Sequence, residues 1–233
     1  MIIEKSVINK LQIADYAVKH HFFSRRNAVF LVEAFREDGL QFDFVYKSYI
    51  AGDMQTEYEN LIRMNSSWVP KVLALGRTAL CLEYIEGPLM IEKLESAEKT
   101  NSSFTGEIAA FVTFLDIFYT AMPGYIYGDI NFRNFIFGTK GVSGIDLEEA
   151  APGEIAVDIG NAASYLLTYD PCFTPYKNEV TDYFIQLCVR KFDLNIKEVE
   201  NEKKRGIESI NTRRALKNKK LFSDVNVSSG AAN

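Results

Sequence analysis

Along the chain, apolar and polar positions first alternate and then fall into a helical rhythm. AVFLVEAF (28–35) and QFDFVYKSYI (41–50) predict two strands joined at Glu37-Asp38-Gly39, since β-branched and aromatic residues at a partial period of two suit a half-buried pleated surface. Asp53 predicts the N-cap of a helix through MQTEYENLIRM to Asn65, ended by Val69-Pro70. KVLAL and ALCLEYI, around Gly76, predict two short buried strands. Glu86-Gly87-Pro88 marks a break, and the polar run ESAEKTNSS (95–103) predicts a loop. Phe104, Ile108, Phe111, Leu115, Phe118 and Met122 then step by four and three, one continuous apolar helical stripe, with Ser103 as its cap and Pro123-Gly124 as its stop. Short strands at NFIF (134–137) and VSGIDL (142–147) follow, and helices near 156–169, 176–192 and 197–221. Sheet first and helices after, with a hinge at 84–88, predict a two-lobed α+β arrangement. The expected division is an N-lobe over 1–85, a helical C-lobe over 86–222 and a flexible tail over 223–233.

Composition narrows the class. With 47% hydrophobic and 24% charged residues among 233, the chain can bury a core and is not wholly disordered. Cys81, Cys172 and Cys188 are widely separated without a C-x-x-C pair, and the two histidines, His20 and His21, are adjacent. That pattern excludes a disulfide framework and a cysteine zinc site, and favours a reducing compartment. The start does not resemble a signal peptide, and AAFVTFLDIFYTAM is too short to span a bilayer and carries Asp116. No membrane span and a cytoplasmic location are therefore expected. The net charge of −5 is uneven: residues 203–220 hold eight of the 26 basic residues and a single acid, Glu208. An acidic body suits a cationic small-molecule substrate, and a basic segment suits an anionic partner. Nucleic acid is the lesser option, because no aromatics interleave the basic run and no recognition motif accompanies it.

The chemistry concentrates at Tyr127-Gly128-Asp129-Ile130-Asn131-Phe132-Arg133-Asn134, followed by an apolar strand and Ile145-Asp146-Leu147-Glu148. Two short strands with a tight turn would bring Asn134 near Asp146. One carboxylate and one amide oxygen could then hold a Mg²⁺ that keeps water and phosphate oxygens as its other ligands. Asp129, from the same loop, could orient a hydroxyl and accept its proton.

D-x-x-x-x-N followed by a strand and a second Asp resembles the catalytic and metal-binding loops of the protein-kinase-like fold. Gly128-Asp129 and Ile145-Asp146-Leu147-Glu148 are similar to the aminoglycoside phosphotransferase and choline kinase branch; small bacterial sugar and lipopolysaccharide kinases and RIO-type kinases share such loops. The resemblance covers roughly residues 20 to 170 and implies ATP and Mg²⁺ as cofactors, Asp129 as catalytic base, and Asn134 and Asp146 as magnesium ligands. It implies that Lys47 contacts the phosphates with Glu57 as its partner, Glu59 being the alternative. The backbone of Glu83 and Ile85 would bond adenine, Val45 and Ile136 would sandwich the ring, and Asp158 would brace the catalytic loop. In place of a Gly-rich loop stands Phe23-Ser24-Arg25-Arg26-Asn27, where backbone N–H groups near Ser24 and the charge of Arg25 or Arg26 could meet phosphate. Tyr127 stands where the family usually has His.

The function so implied is transfer of the γ-phosphate of ATP to a hydroxyl of a small molecule, such as an aminoglycoside, choline or a sugar. The alternatives are an atypical RIO-like serine/threonine protein kinase, or a non-catalytic kinase-fold protein that binds nucleotide or a partner.

Overall fold

Alternation builds the sheet that carries the first half of the site. In the computed structural model, which describes residues 2–228 with side chains through residue 216, five antiparallel strands run in the order β1-β2-β3-β5-β4. They are β1 (Ile13–Phe22), β2 (Asn27–Arg36), β3 (Gln41–Tyr49), β4 (Val72–Leu75) and β5 (Ala79–Glu83). Phe44 and Tyr46 of β3 are buried with Val32, Ala34, Ala74 and Cys81, under Val7 and Leu11 of helix α1 (Lys5–Leu11). Successive side chains on a strand point to opposite faces, so Val45 and Lys47 lie on the other face.

Helix α2 (Met54–Met64) begins at Asp53, whose carboxylate accepts from the Thr56 N–H at 3.0 Å, and ends at Asn65 in the left-handed conformation. Helix α4 (Thr105–Ala121) buries the whole predicted stripe from Phe104 to Met122, each residue at 2% exposure or less. A hairpin follows the 3₁₀ turn Phe132–Asn134: β7 (Phe135–Gly138) pairs with β8 (Gly141–Gly144), Phe135 opposite Gly144. The two-residue strands β6 (Tyr125–Ile126) and β9 (Ala151–Pro152) pair around that segment.

Two expectations are corrected, and two elements were not foreseen. The polar run at 95–103 is largely helix: α3 (Met90–Thr100) buries Met90, Ile91, Leu94 and Ala97 on one face, leaving its charged residues outside. Ser103 is not the cap of α4; Phe104 holds that position without a side-chain hydrogen bond. Both α1 and β1 escape the periodicity argument, β1 because it is an edge strand exposed at most of its positions.

Contacts divide the chain into two compact units, residues 1–153 and the residues from 154 on. The second unit consists of α5 (Ile155–Thr168), α6 (Pro175–Phe192) and α7 (Ile196–Ser228). α5 and α7 approach closely at Gly160, where a Cβ would lie 2.4 Å from that of Glu202. Arg214 donates to the Thr168 carbonyl at the end of α5, at 2.5 Å, and Asp158 is fully buried on α5. From residue 229 on, the expected tail lies outside the described residues. No helix among the described residues is long and apolar enough to cross a membrane, and the three cysteines are free.

Candidate active site

The site lies wholly within the first unit. Glu57, in the first turn of α2, reaches Lys47 on the face of β3 opposite Phe44 and Tyr46. Lys47 Nζ stands 2.5 Å from Glu57 Oε2, 2.6 Å from Asp146 Oδ1 and 4.0 Å from Glu148 Oε2. Glu59 instead accepts from its helix neighbour Gln55. Glu57 is 1% exposed and also accepts from the Tyr49 hydroxyl. Burial alone would lower the Lys47 pKa, but Glu57 and Asp146 outweigh it and hold the ammonium above its ordinary value. Burial, aided by Asp146, pushes Glu57 upward against the pull of Lys47. Oxygens of Glu57, Asp146 and Glu148 fall within 4.8 Å of one another; the Lys47 ammonium already serves that triad as its cation.

The second half of the site rests on aromatic packing. Phe111, Phe114 and Phe118 of α4 meet Tyr127, Phe132 and Phe135, with ring centroids as close as 4.7 Å for Phe111–Phe135 and 4.9 Å for Tyr127–Phe135. Tyr127 is fully buried and its hydroxyl donates to the Ile145 carbonyl, so this residue ties the loop to the segment just before Asp146. The Ile145 N–H donates to the Asn134 carbonyl at 2.9 Å, which closes the hairpin and sets Asn134 beside the strand end that carries Asp146.

Asn134 Nδ2 donates to Asp129 twice, to its carbonyl at 2.9 Å and to Oδ2 at 3.1 Å. Asn131 Nδ2 donates to Asp129 Oδ1 at 2.8 Å. The carboxylate is thus held from both sides by amides. Asp146 sits in the left-handed region at φ +67°, a conformation that Asp tolerates better than most side chains. Its Oδ1 accepts from Lys47 Nζ; the side-chain oxygens beyond that bond, Asp146 Oδ2 and Asn134 Oδ1, are hard ligands of the kind Mg²⁺ prefers.

Gly128 shows how tightly the loop is drawn. Its φ is +81° and a Cβ there would lie 2.3 Å from the Glu149 carbonyl oxygen. Gly128→Ala is expected to destabilise the protein by roughly 2–4 kcal/mol, since both the conformation and the backbone contact reject a side chain. Urea unfolding of the variant measures this; an unchanged midpoint would contradict the tight approach.

The remaining predicted residues spread along the same unit. Val45 pairs with Leu82 across β3 and β5. Ile136 pairs with Ser143 and bridges to Leu89, and the Phe137 N–H donates to the Pro88 carbonyl at 2.9 Å, so the 84–88 segment lies along β7. The Glu83 N–H is committed to the Lys71 carbonyl at 2.8 Å, and Ile85 lies half-buried just past β5. Ser24 Oγ accepts from the Asn27 N–H at 3.2 Å, which shapes the turn. Arg25 is exposed; Arg26 is the arginine that reaches the carboxylates.

Sequence reasoning named Arg26 only as a possible phosphate contact, without its carboxylate partners, and missed Asn27 and Asn60. Arg26 binds Glu148 at 2.6 Å and Glu149 at 2.9 Å. Asn27 donates to Glu148 Oε2 at 3.3 Å. Asn60 donates to the carbonyls of Leu147 and Ala150, both at 2.9 Å. The last had a readable signal, because Asn60 follows Glu57 by three residues and so shares its helix face.

No family model matches the chain, and no curated protein matches it by sequence. Among solved structures the chain is similar to the choline kinase from Cryptosporidium parvum Iowa II, at 14% identity, over 78% of this chain and 76% of that one, with a TM-score of 0.50. The protein therefore has a protein-kinase-like α+β fold, with an antiparallel sheet in its N-terminal part and its helices mostly after it.

Proposed function

We propose that the chain is an ATP- and Mg²⁺-dependent phosphotransferase of the aminoglycoside phosphotransferase and choline kinase branch, moving the γ-phosphate to a hydroxyl of a small molecule. The observation that carries this reading is the Lys47–Glu57–Asp146 cluster, formed in a kinase-like fold whose same compact unit holds the braced Asp129–Asn134 loop. Lys47, fixed by two carboxylates, offers the α- and β-phosphates a positioned charge. Asp146 and Asn134 would hold Mg²⁺, which when bound neutralises charge on the transferring phosphoryl group. Asp129, its carboxylate oriented by two amides, aligns the acceptor hydroxyl and takes its proton. Val45 and Ile136 would enclose adenine, with the backbone of Glu83 and Ile85 at its edge. Glu148 is bound to Arg26 and its side chain is only 6% exposed, so a cationic acceptor would have to be met by other acidic groups.

Carboxylates outnumber cations here: Glu57, Asp146, Glu148, Glu149 and Asp129 stand against Lys47 and Arg26. ATP without a divalent ion should therefore be repelled. A thermal-shift titration with ATP, with and without Mg²⁺, tests the reading. At a hundred times Kd a ligand adds about 2.7 kcal/mol, a rise of roughly 5–10 °C for a chain of this size. The expected result is a magnesium-dependent rise that Asp146→Asn loses. No rise with ATP under any condition would sink the assignment.

A further inference from the structure

The phosphate-side loop between β1 and β2 has no glycine, yet it is not an inert substitute for one. Its backbone is anchored where it enters β2. The Ala51 N–H donates to the Arg26 carbonyl at 3.1 Å, and buried Asn27 accepts from the N–H groups of Ile50 and Gly52 at 3.3 and 3.2 Å. The Arg26 side chain, by contrast, is 53% exposed along its length, and its guanidinium lies between Glu148 and Glu149. Glu148 is therefore shared: it bonds Arg26 at 2.6 Å and stands 4.0 Å from Lys47. Glu149 feels the charge of Asp129 as well as that of Arg26. The guanidinium thus links Glu148, which stands beside Lys47, to Glu149, on which the charge of Asp129 also acts.

We propose that Arg26 is a second phosphate-binding cation, parked on Glu148 and Glu149 and exchanged from them onto the terminal phosphates of a bound nucleotide. The inference rests on the nucleotide-site reading above. It follows from three features together. An anchored backbone presents a half-exposed, always-charged fork. The carboxylates that hold it are exposed enough at Glu149, at 48%, to release it. Planar guanidinium groups bind phosphate oxygens in pairs, which a carboxylate-bound Arg can do without changing its charge or its anchor. The exchange is an ion-pair swap with no bond made or broken. In a site this acidic, Arg26 also explains how a loop lacking glycine can still favour phosphate: side-chain charge replaces close backbone approach.

The test is calorimetric binding of adenosine, ADP and ATP, with Mg²⁺ present, to the wild type, Arg26→Ala and Arg26→Lys. Arg26 itself is half exposed, and Glu148 keeps Asn27 and Lys47 beside it when the guanidinium is removed, so these variants are expected to fold, and their unliganded melting curves check that. The expected result is a loss of ATP affinity of roughly tenfold or more in Arg26→Ala, a smaller loss for ADP and none for adenosine. Arg26→Lys should recover part of the ATP affinity, because it keeps the charge and loses the fork. Equal losses for adenosine and ATP would show a merely structural role and overturn the inference. So would unchanged ATP affinity in Arg26→Ala, while leaving the nucleotide site intact. A wild type that binds none of the three would overturn the site and the inference together.

Discussion

If the proposed function holds, Asp129→Asn is expected to lower phosphoryl transfer by roughly 10²- to 10⁴-fold, the usual worth of a positioned general base, and to leave ATP affinity within about twofold. The geometry argues for so clean a separation. Asp129 bonds to Asn131 and Asn134 through its side chain, whereas Lys47 is held by Glu57 and Asp146. Removing one carboxylate charge while keeping the shape should act first on the proposed hydroxyl side: one amide, of Asn131 or Asn134, must turn to meet the new NH2, while the Lys47 cluster keeps its partners. The measurement is turnover against a panel of aminoglycosides, choline and sugars, with slow ATP hydrolysis as the reference reaction, alongside calorimetric ATP binding. Retained turnover in the variant would remove Asp129 from the mechanism. Loss of both turnover and binding would mean that the loop collapses, and the melting curve would show it.

Lys47→Met has the larger expected effect on the fold itself. It leaves Glu57, at 1% exposure, facing Asp146 without a cation. Breaking a buried pair by removing one partner typically costs about 3–5 kcal/mol, which corresponds to a fall in melting temperature of roughly 6–20 °C. The folded-state pKa of Lys47 lies above its ordinary 10.5, so the stabilisation is fully present below that pH and fades only as pH rises through the raised value. The double variant Lys47→Met with Glu57→Leu should recover most of the lost stability, because an apolar pair can replace a buried ionic one, but not ATP binding. A melting temperature within about 2 °C of the wild type in the single variant would show that the pair does not hold α2 to the sheet.

These two variants separate what was legible from what was not. Asp129 could be singled out because it stands five residues before an Asn in a polar loop between apolar elements, and Lys47 because its aromatic-rich strand resembles the third strand of the kinase-like fold. The long stripe of α4 was equally readable, since a helix that buries one face must repeat every three to four residues. The polar run at 95–103 misled because α3 buries only four side chains and puts its charges outward, so composition outweighed a short period. β1 was invisible for the same reason in another form: an edge strand with most positions exposed has no apolar alternation to read.

The sequence by itself determined the kind of most elements from β2 onward, α3 excepted, and the chemical types brought to the site, because strand alternation, helix period, the Asp53 cap and the D-x-x-x-x-N spacing are all short-range. Only the tertiary structure decided who meets whom. Lys47 and Asp146 are 99 residues apart in the chain, and Arg26 and Glu148 are 122 apart. An ion pair leaves no mark on the residues around either partner. Its existence depends on a sheet face, a helix turn and a hairpin arriving at one place, and that is a property of the packed chain.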